Sequence, residues 1–392
     1  MYDEPDFDRW FRIVLRTLDP KSATGIGDFE TYSTIGDALG HDGFRFSETA
    51  NVAKLRECAV ARLRALESQI PHHVTLDRLA KGSADCPAQE SLEEAQSETD
   101  VAGSQGRAAL SDPIKLFVKD EPHTEKKIDD GRYRLIHNLS LVDQVVDKLL
   151  FMPWFQAEVR NPANVTSKAG WAPIPGGYQR MALEFPFEQS VAVDKTAWDW
   201  TMPEWVIRAY VDMKLDQCYN PDDRYVHLIW QRLKFVLGPS TRFRMSNGVE
   251  WRQTYWGQMK SGWLLTLSMN SAAQAFQHAL AWLRLGLGGP VPHIWAMGDD
   301  TLCRMDPALI LLYWKALETC GCIVKKVEAA REFSGFTLTE KGDVDPLYPT
   351  KHQFIMRYLE PNVEVETIFA YSLLYALASP GHWFERLHHS CP

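Results

Sequence analysis

The sequence Ile294-Trp-Ala-Met-Gly-Asp-Asp-Thr-Leu-Cys303 sets two adjacent acids between two short apolar runs. Apolar runs separated by a glycine-containing polar turn indicate a β-hairpin, here over residues 294–305, with Gly298 and Asp299 at its tip. A carboxylate at such a tip could bind a divalent metal ion. Gly-Asp is equally ordinary turn chemistry, so this stretch alone does not separate a metal ligand from a turn residue.

A second acid ends the apolar run Ser190-Val-Ala-Val-Asp194, which indicates a buried strand with a carboxylate at its end. Nucleotidyl transfer uses two metal ions held by carboxylates, and Mg²⁺ or Mn²⁺ suits such oxygen ligands. Asp194 and Asp299 are therefore the candidate metal-binding pair, which only folding could bring together. Taken singly, a strand-end cap and a turn residue are the plain structural alternatives.

Asp199 follows Asp194 by five residues, and a short helix after the strand would return its carboxylate to the same cleft. There it could accept a hydrogen bond from a ribose hydroxyl or from an asparagine that reads one. A helix predicted over residues 266–285 carries Thr266 and Asn270 on one face. An Asp–Asn pair suits recognition of the 2′-hydroxyl that distinguishes RNA precursors, whereas polar groups on a helix surface are the alternative.

A basic run between two predicted strands, Ile114–Val118 and Tyr133–Ile136, includes Lys119, Arg132 and Arg134. Lys119 and Arg134 would point from neighbouring strands toward one phosphate chain. The guanidinium fork and the ammonium charge both suit phosphate oxygens. A solvated charged hairpin is the alternative.

Composition excludes some classes of protein. The chain has 392 residues, 45% of them hydrophobic, with a net charge of −9 and seven scattered Cys. No apolar run is long enough to span a membrane, and the acidic start is unlike a secretory signal, so we expect a soluble intracellular protein with reduced thiols. Much of the negative charge lies in residues 85–100, within an acidic segment of about 82–112 that we expect to be mobile. The net charge therefore does not exclude a nucleic-acid partner.

The ordered set of a basic clamp, Asp-x₄-Asp, Ser-Gly-x₃-Thr-x₃-Asn and Gly-Asp-Asp resembles the motifs of viral RNA-dependent RNA polymerases. Three stretches are most similar in sequence to the polymerases of sobemovirus-like positive-strand RNA viruses: Lys119-Asp-Glu-Pro-His, Gly131-Arg-Tyr-Arg-Leu-Ile136 and Asp194-Lys-Thr-Ala-Trp-Asp-Trp200. The resemblance spans about residues 115–340. It implies an α+β right-hand fold with a central antiparallel palm sheet. The implied segments are fingers (1–185), palm (186–215), a fingers insertion (216–255), palm (256–345) and a short thumb (346–392).

The resemblance also implies a role for each candidate residue. Asp194 and Asp299 would bind two Mg²⁺ or Mn²⁺ ions, with Asp300 adjacent and secondary. The triphosphate would be held by Lys119, Arg132 and Arg134, and the ribose would be checked by Asp199, Thr266 and Asn270. Ser261 and Gly262 would form a loop that positions template and nucleotide. Lys325 or Lys326 would protonate the leaving pyrophosphate, and the sequence does not choose between them.

The partners implied are an RNA template, the nascent RNA and ribonucleoside triphosphates. By analogy with the group, a genome-linked protein primer is a further expected partner, and the expected location is the host cytoplasm, at membrane-associated replication complexes. Two shorter stretches resemble the loop through which the template enters the fingers (Ser22-Ala-Thr-Gly25) and the turn that grips the primer (Glu332-Phe-Ser-Gly-Phe336).

Two alternatives use the same palm acids. A reverse transcriptase usually has an aromatic-x-Asp-Asp hairpin and a bulky residue guarding the 2′ position, and Met297-Gly298 together with Asn270 argues against it. A catalytically inactive RNA-binding relative would lack one of the polar groups, yet all of them are present.

Overall fold

The computed structural model describes residues 4–69, 109–119, 121 and 125–388. Most of the acidic segment expected over 82–112 lies outside these residues. The chain forms two compact units, Met1–Phe155 with Val211–Thr266 and Gln156–Tyr210 with Leu267–Pro392.

The first unit combines helices with one sheet. Its helices are α1 (Pro5–Leu15), α2 (Ile35–Leu39), α3 (Ala50–Ser68), α4 (Glu125–Asp129) and α9 (Asp223–Val236), and its strands are β1 (Ile114–Val118), β2 (Leu135–Asn138), β4 (Arg242–Met245) and β5 (Glu250–Arg252). Three helices contain the points where the chain passes from one unit to the other: α5 (Leu141–Arg160), α8 (Glu204–Asp216) and α10 (Thr266–Leu285).

The sheet of the first unit has the order β2-β1-β4-β5. β1 pairs antiparallel with β2 and parallel with β4. Beside it, buried ion pairs join α3, α5 and α9. Arg62 lies 2.6 Å from Asp143, and Arg232 lies 2.6 Å from Asp147. Each buried charge has a partner, which avoids the large cost of an isolated ion in the core.

The second unit contains the other elements. Its helices are α6 (Pro175–Glu184), α7 (Trp198–Thr201), α11 (Ile310–Glu318), α12 (Pro349–Arg357), α13 (Glu364–Leu374) and α14 (Trp383–His388). Its strands are β3 (Ser190–Lys195), β6 (Ile294–Met297), β7 (Asp300–Arg304), β8 (Val324–Ala329), β9 (Glu332–Phe333), β10 (Phe336–Leu338) and β11 (Val344–Pro346).

An antiparallel four-stranded sheet in the order β6-β7-β3-β8 organises the second unit. β3 lies inside this sheet, and Val191, Ala192 and Val193 are all buried. Burial on both faces explains why β3 is continuously apolar rather than alternating. A smaller antiparallel sheet, β11-β10-β9, contributes to an aromatic core that includes Tyr178 and Trp295.

The elements predicted around the acids agree with the structure, and small differences lie at the boundaries. β2 begins at Leu135, two residues later than predicted. α10 ends before Gly286, whose φ of +65° favours glycine and stops the helix. The mixed α+β class with antiparallel sheets agrees with the expectation. None of the helices in the described ranges combines the length and apolar character that a membrane-spanning segment needs.

Candidate active site

The two acids of the hairpin lie where β6 turns into β7. Met297 faces Asp300 across the turn, and Gly298 adopts a φ of +66°, which few other residues tolerate. The Gly298 amide donates to the Ser271 hydroxyl on α10 at 3.0 Å, which ties the tip to that helix. The tight turn therefore holds Asp299 and Asp300 at one end of the sheet.

Strand pairing brings Asp194 to the same end. β3 runs antiparallel to β7 with Val193 opposite Thr301, so the next residue on β3, Asp194, lies beside the start of β7. Desolvation and the negative charges of Asp299 and Asp194 raise the pKa of Asp300 to about 6. The strand register thus places the three acids at one end of the sheet, where the Asp300 side chain still reaches solvent.

Lys325 and Lys326 have different partners. The Lys325 ammonium donates to the Asp194 carboxylate at 2.5 Å, and this hydrogen bond raises the lysine's pKa. Lys326 pairs with Glu328 and Glu332. The register of β8 against β3 shifts between Asp194 and Lys195, leaving Lys325 as the extra residue of a bulge. Bulges re-aim side chains, which explains why Lys325 meets Asp194 although Lys326 is the residue directly opposite it.

The carboxylates fit a divalent metal by their chemistry. Asp194, Asp299 and Asp300 offer oxygen donors. Desolvation and the neighbouring negative charges raise the Asp300 pKa, and a bound cation would relieve the repulsion between the acids. Within the described ranges, no three or more His, Cys, Asp or Glu side chains already stand in the arrangement of a metal site. The Lys325 ammonium is the cation in contact with Asp194.

The expected Asp–Asn pair is present. After β3 the chain turns through Ala197, at a φ of +49°, into the short helix α7 that carries Asp199. The Asn270 amide donates to the Asp199 carboxylate at 3.2 Å. Asn270 is buried on α10, so its hydrogen-bonding groups are held by the protein.

The Ser261-Gly262 loop of the first unit is anchored to β2. The Ser261 hydroxyl lies 3.2 Å from His137 Nδ1 and donates to the Leu135 carbonyl at 3.2 Å. A β-carbon on Gly262 would stand 2.1 Å from the His137 carbonyl oxygen, so this close approach requires glycine. The Thr266 hydroxyl donates to the Lys260 carbonyl at 2.5 Å and closes the loop at the start of α10.

The three basic residues expected to bind phosphate do not form one group. Lys119 lies 2.8 Å from Glu121, and Arg134 donates to the same carboxylate at 3.1 Å. The Lys119 amide also donates to the Arg134 carbonyl at 2.8 Å, so the two cations are neighbours as predicted. Arg132 instead pairs with Asp130 at 2.6 Å on the exposed surface.

Sequence reasoning missed three residues that organise these groups. Glu121 brings Lys119 and Arg134 to one carboxylate, and His137 holds the Ser261 loop. Trp198 is a buried hydrogen-bond donor to Asn270. Glu121 and Trp198 lie within stretches that carry the resemblance, but nothing there indicated these contacts, and no pattern marked His137.

Comparison with protein families finds a match in the N-terminal half of the chain. A family model described as viral RNA-directed RNA-polymerase matches residues 52–172. The matched residues end before Asp194, so the roles of the acids rest on the geometry above.

The relatives are proteins of several viruses. The chain is 31% identical over 205 residues to the replicase polyprotein P2AB of Cocksfoot mottle virus, which covers 50% of this chain and 20% of the relative. It is 31% identical over 248 residues to protein P1-P2 of Potato leafroll virus, which covers 58% of this chain and 21% of that protein. It is 29% identical over 198 residues to the RNA-directed RNA polymerase of Mushroom bacilliform virus, which covers 49% of this chain and 47% of that protein.

The chain thus matches about a fifth of the length of the first two relatives and about half of the third. The resemblance to viral RNA-directed RNA polymerases of the sobemovirus-like group is confirmed. RNA-directed RNA polymerase is also the enzyme class that the family and the mushroom virus protein carry in their names.

Proposed function

We propose that this chain copies RNA by transferring nucleotidyl groups from ribonucleoside triphosphates to an RNA 3′-hydroxyl, in replication of a positive-strand RNA virus genome. The observation that carries the proposal is the conjunction of Asp194, Asp299 and Asp300 with the Asp199–Asn270 pair in one compact unit. Acids that suit two metal ions and a polar pair that suits ribose are the two requirements of this reaction.

In this proposal Asp194 and Asp299 hold two Mg²⁺ or Mn²⁺ ions, and Asp300 assists them. When bound, the ions would activate the attacking hydroxyl and stabilise the charge of the triphosphate. Lys325 contacts Asp194 Oδ2, so a metal ion bound by that oxygen would displace its ammonium. An ammonium released in this way would be able to give a proton from Nζ to the leaving pyrophosphate, and we therefore favour Lys325 over Lys326 as the general acid.

The nucleotide would be recognised through its phosphates and its sugar. Lys119 and Arg134, which meet at one carboxylate, would bind the phosphates. Arg132 would have a lesser role because it lies apart from them, on Asp130. The Asn270 amide would donate to the ribose O2′, and the Asp199 carboxylate would accept from a ribose hydroxyl. Thr266, Ser261 and Gly262 would shape the loop beside this helix.

A right-hand architecture of fingers, palm and thumb is part of the proposal. The first unit, Met1–Phe155 with Val211–Thr266, supports the proposed fingers because it is likewise built from two separate segments. The observed boundaries differ, since residues 156–185 group with the β6-β7-β3-β8 sheet that we propose as palm. RNA template, nascent RNA, a genome-linked protein primer and replication complexes in the host cytoplasm complete the proposal.

A primer-extension assay tests the function. Purified protein is incubated with primed RNA, four ribonucleotides and Mg²⁺ or Mn²⁺, beside Asp299→Asn and the control Asp223→Asn, which alters an exposed acid at the start of α9. We expect extension by the wild type and the control, and a loss of at least about a thousandfold in Asp299→Asn. Absence of extension with both metals, or equal activity of Asp299→Asn, would contradict the proposal. Preference for deoxynucleotides would favour the reverse-transcriptase alternative.

A further inference from the structure

We propose that Trp198 is a positioning residue that fixes the orientation of the Asn270 amide and thereby sets discrimination between ribose and deoxyribose. This inference rests on the proposed function and deepens it. It concerns a residue that touches neither metal nor substrate, since Trp198 is only 2% exposed.

The Asn270 amide has a different partner at each end. The Trp198 indole Nε1 donates to Asn270 Oδ1 at 2.9 Å, and Asn270 Nδ2 donates to Asp199 Oδ1 at 3.2 Å. An indole N–H can only donate, and a carboxylate can only accept. Both partners therefore demand the same orientation, with the carbonyl toward Trp198 and the amino group toward Asp199.

The opposite orientation is strongly disfavoured. It would set the amino group against the indole N–H and the carbonyl oxygen against the carboxylate, leaving buried polar groups without partners. In the observed orientation, one N–H of the amino group binds Asp199, and its second N–H is the group that would bind the ribose O2′. If Trp198 lost its donor, only Asp199 would hold the amide in place.

Trp198 is itself held by buried contacts to the helix that carries Asn270. The Lys195 ammonium lies 5.0 Å from the Trp198 ring centre, within the range of a cation–π interaction. The same ammonium bonds the Gln277 side-chain oxygen at 2.6 Å and also bonds Gln274. Gln274, Gln277 and Asn270 all lie on α10, so β3 and α7 are joined to this helix at two places.

The test replaces the indole N–H while preserving the packing. β-(3-benzothienyl)alanine at position 198 keeps the shape of tryptophan but has sulfur in place of the N–H, and Trp198→Phe is the simpler companion variant. Trp314→Phe serves as a control because it removes an indole hydrogen bond to Glu318 on α11. For each protein, kcat/KM is measured with a ribonucleotide and with its 2′-deoxy counterpart, and the thermal midpoint is recorded.

We expect the benzothienyl variant to keep its thermal midpoint within a few degrees and to lose about tenfold in the ribose-to-deoxyribose ratio, the effect of about 1.4 kcal/mol. Trp314→Phe should keep the wild-type ratio. In an Asn270→Ala background, the change at position 198 should cause no further loss of discrimination, because the amide through which it acts is gone.

The outcomes separate the inference from the function on which it rests. A wild type that extends primers, together with a folded benzothienyl variant of unchanged discrimination, would overturn the role of Trp198 alone. A further loss of discrimination in the Asn270→Ala background would also overturn it, since Trp198 would then act by another route. A wild type that extends no primer would overturn the proposed function and this inference with it.

Discussion

The Lys325 ammonium lies 2.5 Å from the Asp194 carboxylate, whereas the adjacent Lys326 pairs with Glu328 and Glu332. Two neighbouring residues of identical chemistry thus have separate environments, because a bulge in β8 sends their side chains to different partners. A general acid must reach the reacting groups, and only Lys325 contacts one of the candidate metal-binding acids.

Lys325→Gln is predicted to lower kcat about a hundredfold, as expected for the loss of a general acid, with little change in KM for the nucleotide. Lys326→Gln should lower kcat by less than about threefold, because its partners lie outside the acid cluster. Single-turnover kinetics of both variants measure these effects. A larger loss in Lys326→Gln would reverse the assignment.

Gly262→Ala is predicted to disrupt the Ser261 loop, since the added methyl group would stand 2.1 Å from the His137 carbonyl. We expect a stability loss of about 1–3 kcal/mol, typical of overpacking, and at least a tenfold loss of activity. Gly176→Ala is the matched control, because nothing lies within 4 Å of its β-carbon position and it sits in the helix α6. Urea unfolding and primer extension should show this control unchanged or slightly stabilised.

His137 links pH to the stability of the first unit. Burial and the nearby Lys260 charge lower the pKa of His137 from its usual 6.5 to about 4, so the folded state favours the neutral ring. The contribution of the neutral ring to the free energy of unfolding is fully present above pH 6.5. It is lost as the pH falls toward 4, which lowers the free energy of unfolding by about 3 kcal/mol in all. Neutrality also allows Nδ1 to accept the Ser261 amide hydrogen, at 3.4 Å.

His137→Asn should therefore remove this part of the pH dependence. We expect the difference in unfolding free energy between wild type and His137→Asn to shrink steadily from pH 7 to pH 4. His137→Phe, which has no acceptor for Ser261, should lose more activity than His137→Asn at pH 7. Chemical unfolding at a series of pH values measures the first effect. A constant difference between wild type and His137→Asn would show that the pKa of His137 is the same in the folded and unfolded states.

Arg134→Gln is predicted to raise KM for the nucleotide about tenfold, the usual cost of one charge-assisted contact to phosphate. Arg132→Gln should raise KM by less than about threefold, because Arg132 lies on the exposed Asp130 and not at the Glu121 carboxylate that Lys119 and Arg134 share. The salt dependence of nucleotide binding should become shallower in Arg134→Gln only. Equal effects of the two substitutions would show that both arginines contact the phosphates.

Local patterns were sufficient to predict the hairpin, β3 and α10. Each has a clear apolar pattern, continuous in β3, and clear boundaries, such as Gly286 after α10. The Asp199–Asn270 pair was predictable because both side chains stand at known positions on regular helices, the short α7 and the long α10.

Other features depend on contacts between distant segments. The choice between Lys325 and Lys326 comes from the pairing of β8 with β3, and one shifted residue in that register decides it. The partner of Lys119 and Arg134 is a carboxylate whose side chain could have pointed to solvent. The hydrogen bond from Trp198 to Asn270 joins residues that only packing brings together, so no short motif predicts it.

The order of segments along the chain has a consequence for synthesis on the ribosome. β3 needs both β7 and β8 as partners, and each of these strands is made more than a hundred residues later. The first unit likewise waits for residues 211–266. When the ribosome has just synthesised β3, the nascent chain therefore exposes an apolar strand with two unpaired edges. Such a strand is a template for aggregation. Because these long-range pairings close slowly, we expect chaperones to protect the nascent chain more than they would a fold built from local contacts.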